Sequence, residues 1–124
     1  MITEDYVSYK TAKLLSEHGF DEPCDKAVGK DEYEPTTDEI TTTSTGIFYY
    51  PCPTIYVAMK WLREVHHLHC QIDCPAVSPA WQYGIYDLRL KDWRSTKMMG
   101  NFDTYEEAAE AAIVCCLKEL IYGN

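Results

Sequence analysis

The chain has 124 residues, 46% of them hydrophobic and 13% aromatic, which is enough apolar material for one packed domain and excludes wholesale disorder. With 20 Asp and Glu against 11 Lys and Arg the formal net charge is -9, and this argues against nucleic acid as a partner, because neutralising phosphates takes an excess of Lys and Arg. No run approaches the roughly 20 apolar residues of a membrane span, so no membrane partner is expected either.

The opening Met1-Ile2-Thr3-Glu4-Asp5-Tyr6 has neither the basic nor the apolar region of a signal peptide. A cytoplasmic location follows as the expectation, with Cys24, Cys52, Cys70, Cys74, Cys115 and Cys116 reduced. The charge is unevenly distributed. Residues 1–50 hold eleven acids against four lysines, a net of -7, whereas residues 51–124 hold nine acids and seven bases. The chain is read as a single domain, residues 1–124, whose first 50 residues form a helix and an acidic, Thr-rich loop and whose remainder forms the core.

In chain order, Val7 to His18 reads as a short helix. Ser8 suits its N-cap, Val7, Ala12, Leu14 and Leu15 form an apolar side, and Gly19 suits the left-handed C′ position, with Phe20 folding back on the helix end. Asp21 to Thr45 has many carboxylates, two prolines and little apolar periodicity, which predicts a long loop, with a short extended piece at Ile47 to Tyr50. After Pro53-Thr54, the spacing of Ile55, Ala58, Met59, Leu62, Val65 and His66 predicts a helix from Ile55 to about His67.

Leu68, Cys70, Ile72 and Cys74 then alternate with polar residues at the period of a half-buried strand. Trp81 to Leu90 is strand-like, and Lys91-Asp92 predicts a hairpin turn into a third strand, Trp93 to Met98, which Gly100-Asn101 ends. Thr104-Tyr105-Glu106-Glu107 is a capping box for a last helix. Its apolar face is Ala109, Ala112, Ile113, Cys116, Leu117 and Leu120, and Gly123 closes it. The fold class is therefore α+β: a three-stranded antiparallel sheet carrying two helices in the order α-β-β-β-α, preceded by an N-terminal helix and a long acidic loop.

Few constellations in the chain carry chemistry. His66, His67, His69, Cys70 and Cys74 offer transition-metal donors, but strand alternation sets Cys70 and Cys74 with the apolar residues and His69 on the opposite side, and no metal site is expected. Neighbours in a helix point about 100° apart, so Cys115 and Cys116 cannot chelate together. No glycine pattern for phosphate binding is present, no cofactor is expected, and no catalytic residue is assigned. A basic cluster of Arg89, Lys91, Arg94 and Lys97 surrounds Trp93, with Lys60 and Arg63 on the helix before it, and reads as a solvated hairpin.

The helix-strand-strand-strand-helix order resembles that of a double-stranded RNA-binding domain, but the last helix opens Tyr105-Glu106-Glu107 where such domains place lysines. Val7 to Leu15 with Gly19 to Pro23, Pro53-Thr54 with Ala58 to His66, and Tyr105 to Ile113 with Leu117 together resemble small proteins of phages and prophages of gut bacteria. The last two of these segments also resemble the phage ABA-sandwich domain. That resemblance implies an α-β-β-β-α fold and a mobile-element origin, and supplies no activity or site residues.

The expected function is a non-enzymatic accessory protein that acts by binding a macromolecule. Tyr49, Tyr50, Tyr56, Trp81, Tyr83, Tyr86 and Trp93 exceed what so small a core needs, and such residues are favoured at interfaces, with an unidentified protein or a second copy of the chain as partner. An alternative expectation gives the work to Asp31, Glu32, Glu34, Asp38 and Glu39, whose carboxylates would stand in for phosphates in an inhibitor of a host nucleic-acid-binding or defence protein.

Overall fold

The computed structural model describes residues 2–36, 39, 49–77, 79–94 and 98–121. The chain divides into two compact units, Met1–Thr54 and Ile55–Gly123.

The first unit is built around α1 (Tyr9–Glu17), where the Ser8 hydroxyl accepts from the Thr11 N–H at 3.4 Å. Its C-terminus is a Schellman turn. Gly19, at φ 94, donates to the Ser16 carbonyl at 3.2 Å, and Phe20 donates to the Leu15 carbonyl at 2.9 Å. Leu15 and Phe20 are both buried there, with Thr11, Ala12, Val7, Val28 and Cys52. Two short strands, β1 (Ala27–Gly29) and β2 (Tyr49–Pro51), pair antiparallel with Val28 opposite Tyr50. The unit's ends are joined by the bond from Val7 N–H to the Pro53 carbonyl at 3.1 Å.

The expectation of a loop from Asp21 to Thr45 is corrected by β1 and by a tight 3₁₀ turn at Lys30–Glu32. A three-residue strand has no periodicity of its own, and its pairing comes from Tyr49 and Tyr50, far along the chain. The run Thr41 to Phe48 lies outside the described residues.

The second unit carries two helices on one sheet. In α2 (Ile55–Val65) the buried residues are Ile55, Ala58, Trp61 and Leu62. The expected apolar face is thereby turned: Trp61 goes inside and Val65 is left 53% exposed, because the indole removes far more apolar area from water than the valine would. His67, at φ 61, turns the chain into β3 (Leu68–Asp73). This strand pairs with β4 (Trp81–Asp87) from Leu68↔Asp87 to Asp73↔Gln82.

The far edge of β4 is shared by two pieces. β5 (Asp92–Trp93) pairs with its end, Tyr86↔Trp93, and β6 (Met99–Phe102) with its beginning, Trp81↔Phe102. The sheet therefore has four strands where three were expected, and the expected third strand holds residues 95–97, which lie outside the described residues. Gly100-Asn101, expected to punctuate the chain, sits inside β6. The register shifts there, Gly100 has φ 101, and the Phe102 ring occupies the space a Cβ on Gly100 would need.

The last helix, α3 (Tyr105–Cys115), starts at Thr104, whose hydroxyl accepts from the Glu107 N–H at 3.1 Å. It passes into a π-turn, Cys116–Leu120, closed by Ile121 N–H on the Cys116 carbonyl at 3.0 Å. Ala108, Ala109 and Ala112 are fully buried with Ile113, Cys116 and Leu117. These small residues let α3 approach β3, β4 and α2 closely.

Substituting the two left-handed glycines separates backbone strain from packing. Gly19→Ala, with nothing within 4 Å of the new methyl, should cost about 1 kcal/mol. Gly100→Ala should cost about 2–3 kcal/mol, because the Phe102 ring must also move. Thermal unfolding of the two variants measures the difference, and equal losses would mean that the Phe102 contact is not constraining.

Candidate interaction surface

The carboxylates singled out in the first unit divide into two kinds. Glu32, at φ 60, places Oε2 2.7 Å from the Tyr9 backbone N–H. It thus holds an otherwise unpaired donor in the first turn of α1 and puts negative charge at the positive end of that helix. Glu39 is held by the Tyr33 hydroxyl at 2.7 and 2.8 Å, the Tyr49 hydroxyl at 3.2 Å and the Thr36 N–H at 2.9 Å. In return the Glu39 N–H bonds the Thr36 hydroxyl at 3.2 Å, which is the reciprocal pattern of a capping box.

The Thr36 N–H and the Tyr33 hydroxyl pull the Glu39 carboxyl below its ordinary pKa, and the hydrogen bond to this carboxylate raises that of Tyr33. The two phenol rings stack at 6.1 Å with 29° between their planes. Asp31 and Glu34 are exposed, and Asp38 lies outside the described residues. The structure therefore spends Glu32 and Glu39 on local order and leaves Asp31 and Glu34 facing solvent. Tyr49 and Tyr50 are half-buried, Tyr50 against Tyr9 with ring centroids 5.9 Å apart.

The histidines and cysteines diverge. The His66 ring meets Trp61 edge-on at 4.8 Å, His67 lies in the turn before β3, and His69 Nε2 is 3.3 Å from the Gln71 amide oxygen on the sheet's other face. Cys70 faces the helices, its Sγ 3.9 Å from that of Cys116. The expectation that Cys74 shares that face is corrected, since Cys74 lies past the end of β3 and is exposed. Among the described residues no group of three or more His, Cys, Asp or Glu is arranged to hold a metal ion. The contact with Cys70, together with burial, drives the Cys116 thiol well up from its usual pKa, and burial raises that of Cys115. Tyr83, beside Cys115, is pushed up to about 12, mainly by burial.

A polar group of the second unit with several partners is Asp87, at the end of β4, where sequence alternation places only strand. Its Oδ1 accepts from the backbone N–H of Arg89 at 2.9 Å and of Leu90 at 3.0 Å, and its Oδ2 meets Arg94 Nη1 at 3.0 Å. An Asp that bonds the backbone two and three residues on makes a turn. β4 therefore stops at Asp87, and Leu88 and Leu90, expected within the strand, lie on the turn instead. Lys91 takes φ 56 and closes it on the Asp87 carbonyl at 2.8 Å.

The hairpin so fixed presents Leu88 at 39%, Leu90 at 67% and Trp93 at 47% exposure, interleaved with exposed Arg89 and Lys91. Trp93 is anchored rather than loose. Its ring stands edge-on to Tyr86 at 5.2 Å and covers Gly84, where an added Cβ would sit 3.2 Å from the indole and 2.9 Å from Met98 Sδ. Of the basic cluster, Arg94 is committed to Asp87, Lys60 pairs with Glu64 at 4.0 Å, and Lys97 lies outside the described residues. The signal for Asp87 that sequence reading overlooked is its own spacing, an Asp followed at two and three residues by a turn that returns the chain antiparallel.

Among the described residues no helix is long and apolar enough to cross a membrane. Comparison of the chain with protein-family models, with characterised proteins and with solved structures returns no match.

The N–H of Leu90, then Arg94 and the N–H of Arg89, hold the Asp87 carboxyl below its ordinary pKa. A folded-state pKa below the unfolded one contributes stability at neutral pH that is lost as pH falls through the folded value. Asp87→Asn should therefore cost about 1–2 kcal/mol at neutral pH, and its gap to the parent should close below about pH 4. Urea unfolding across that range tests this, and a gap constant with pH would remove the charge of Asp87 from the account.

Proposed function

We propose that this protein is a non-enzymatic binding module, of the accessory kind found among the phage and prophage proteins its sequence resembles, and that it engages a protein partner through the Leu88–Trp93 hairpin. The observation that carries this reading is the exposure of Leu88, Leu90 and Trp93 on a turn that Asp87 and Arg94 hold rigid. Large apolar side chains kept in water on a preorganised loop lose little conformational entropy on binding, and aromatic and Arg side chains concentrate binding energy at interfaces. Arg89 and Lys91 beside them favour a partner whose rim is acidic.

The alternative, an acidic inhibitor that imitates phosphates, draws among the described residues on exposed Asp31 and Glu34, while Glu32 and Glu39 are fixed in place by Tyr9 and by Tyr33, Tyr49 and Thr36.

The two readings separate in affinity capture from host lysate with the full chain immobilised. Leu90→Asp changes an exposed residue and should leave the fold intact while lowering recovery of the partner at least tenfold. Asp31→Asn with Glu34→Gln should leave recovery unchanged. The reverse pattern would transfer the function to the acidic segment, and equal recovery by both variants would overturn the hairpin reading.

A further inference from the structure

We infer that the free edge of β3 is a self-association surface, at which two copies of the chain join their sheets antiparallel about a two-fold axis through Cys70. Among the described residues β3 has a hydrogen-bonded neighbour only on the β4 side. Its other edge lacks the usual protections. It is six residues long, contains neither proline nor lysine, and keeps an unbroken register with β4. The opposite edge of the sheet, by contrast, is split into a two-residue and a four-residue strand and carries the register shift at β6.

The direction of the backbone groups selects the pairing. Leu88 N–H donates to the His67 carbonyl at 2.8 Å, so His67 and Leu88 form a hydrogen-bonded pair. By alternation His69, Gln71 and Asp73 also turn their N–H and C=O toward β4. Leu68, Cys70 and Ile72 therefore turn theirs outward. A register that set an outward residue opposite one of the other set would aim its groups at ones already used by β4, and two-fold axes through His69 or Gln71 join only two outward pairs, Leu68 with Cys70 or Cys70 with Ile72. Among the remaining axes, the one through Cys70 uses the whole edge: Leu68 faces Ile72 of the second copy, Cys70 faces its own equivalent, and Ile72 faces Leu68, each pair exchanging both of its N–H···O=C bonds.

The side chains accept this register. On the face away from the helices His69 lies opposite Gln71 of the second copy, two hydrogen-bonding side chains. No like charges are opposed, which is the condition a cross-strand pairing needs. The surface lies across β4 from the hairpin, so the two proposals stand or fall separately.

Sedimentation of the full chain over micromolar to millimolar concentration should show a monomer–dimer equilibrium, and amide exchange at Leu68, Cys70 and Ile72 should slow as the dimer fills. Ile72→Pro removes an outward N–H and none of the bonds to β4, and should weaken dimerisation at least tenfold. His69→Glu with Gln71→Glu should do so at least tenfold as well, by setting like charges against each other in both pairs on the face away from the helices. Circular dichroism checks that both variants fold, and the double glutamate variant decides the matter if Ile72→Pro does not. A monomer at every concentration, a dimer in which those three amides exchange as fast as in the monomer, or undiminished dimerisation of the folded variants would each overturn the proposal.

Discussion

Every strand of the second unit is hydrogen-bonded to β4. It carries β3 on one edge and both β5 and β6 on the other, and its residues Tyr83, Ile85 and Asp87 face the helices. A strand with hydrogen-bonded neighbours on both edges loses less on leaving water, so it can sit at the centre of the unit. Its two ends are then handled differently. At Trp81 the register with β6 shifts to accommodate Gly100, and at Asp87 a buried carboxylate turns the chain. The exposed hairpin exists because the second of these is rigid.

That carboxylate illustrates how the chain uses its acidity. Asp87, Glu32 and Glu39 each accept hydrogen bonds from backbone N–H groups, and in each case the acid stands where a turn or helix start leaves donors unpaired. Residues that composition would class as solvated charge are thus local architecture. The aromatics behave likewise: Tyr33 with Tyr49, Trp81 with Tyr105, Tyr83 with Phe102 and Tyr86 with Trp93 are paired within their own units. These pairs absorb part of their surplus over a small core, while Leu88, Leu90 and Trp93 remain exposed together on one hairpin and Tyr56 is exposed on α2.

The helices were legible because their signals are local. Ser8 and Gly19 bracket α1, and Thr104 with Glu107 opens α3; in each the deciding hydrogen bonds join residues three to five apart. The capping pair at Thr104 differs in one detail, since its hydroxyl also donates to Glu107 Oε1 at 3.2 Å. Which face of α2 is buried was less legible. The candidates fell at helical spacing, and only contact with the sheet chose Trp61 over Val65. Of the candidate site the sequence singles out only Trp93, within an aromatic excess spread along the chain, and the basic residues around it read as a solvated hairpin, because the contacts of Asp87 that order the turn have no periodic signal.

Composition, capping residues and apolar periodicity by themselves determined an α+β chain with helices near residues 9–17, 55–65 and 105–115, an acidic first part and a more regular second part. These follow from interactions within a few residues, which any window of sequence contains. The tertiary structure alone decided that β1 exists, that the edge of β4 is shared by two short strands, and that Glu32, Glu39 and Asp87 are bound while Asp31 and Glu34 are free in solvent. Each of those outcomes depends on partners brought together by the fold, such as Val28 with Tyr50, Glu32 with Tyr9 and Asp87 with Arg94, and the strength of a polar contact is set by the groups around it rather than by its place in the chain.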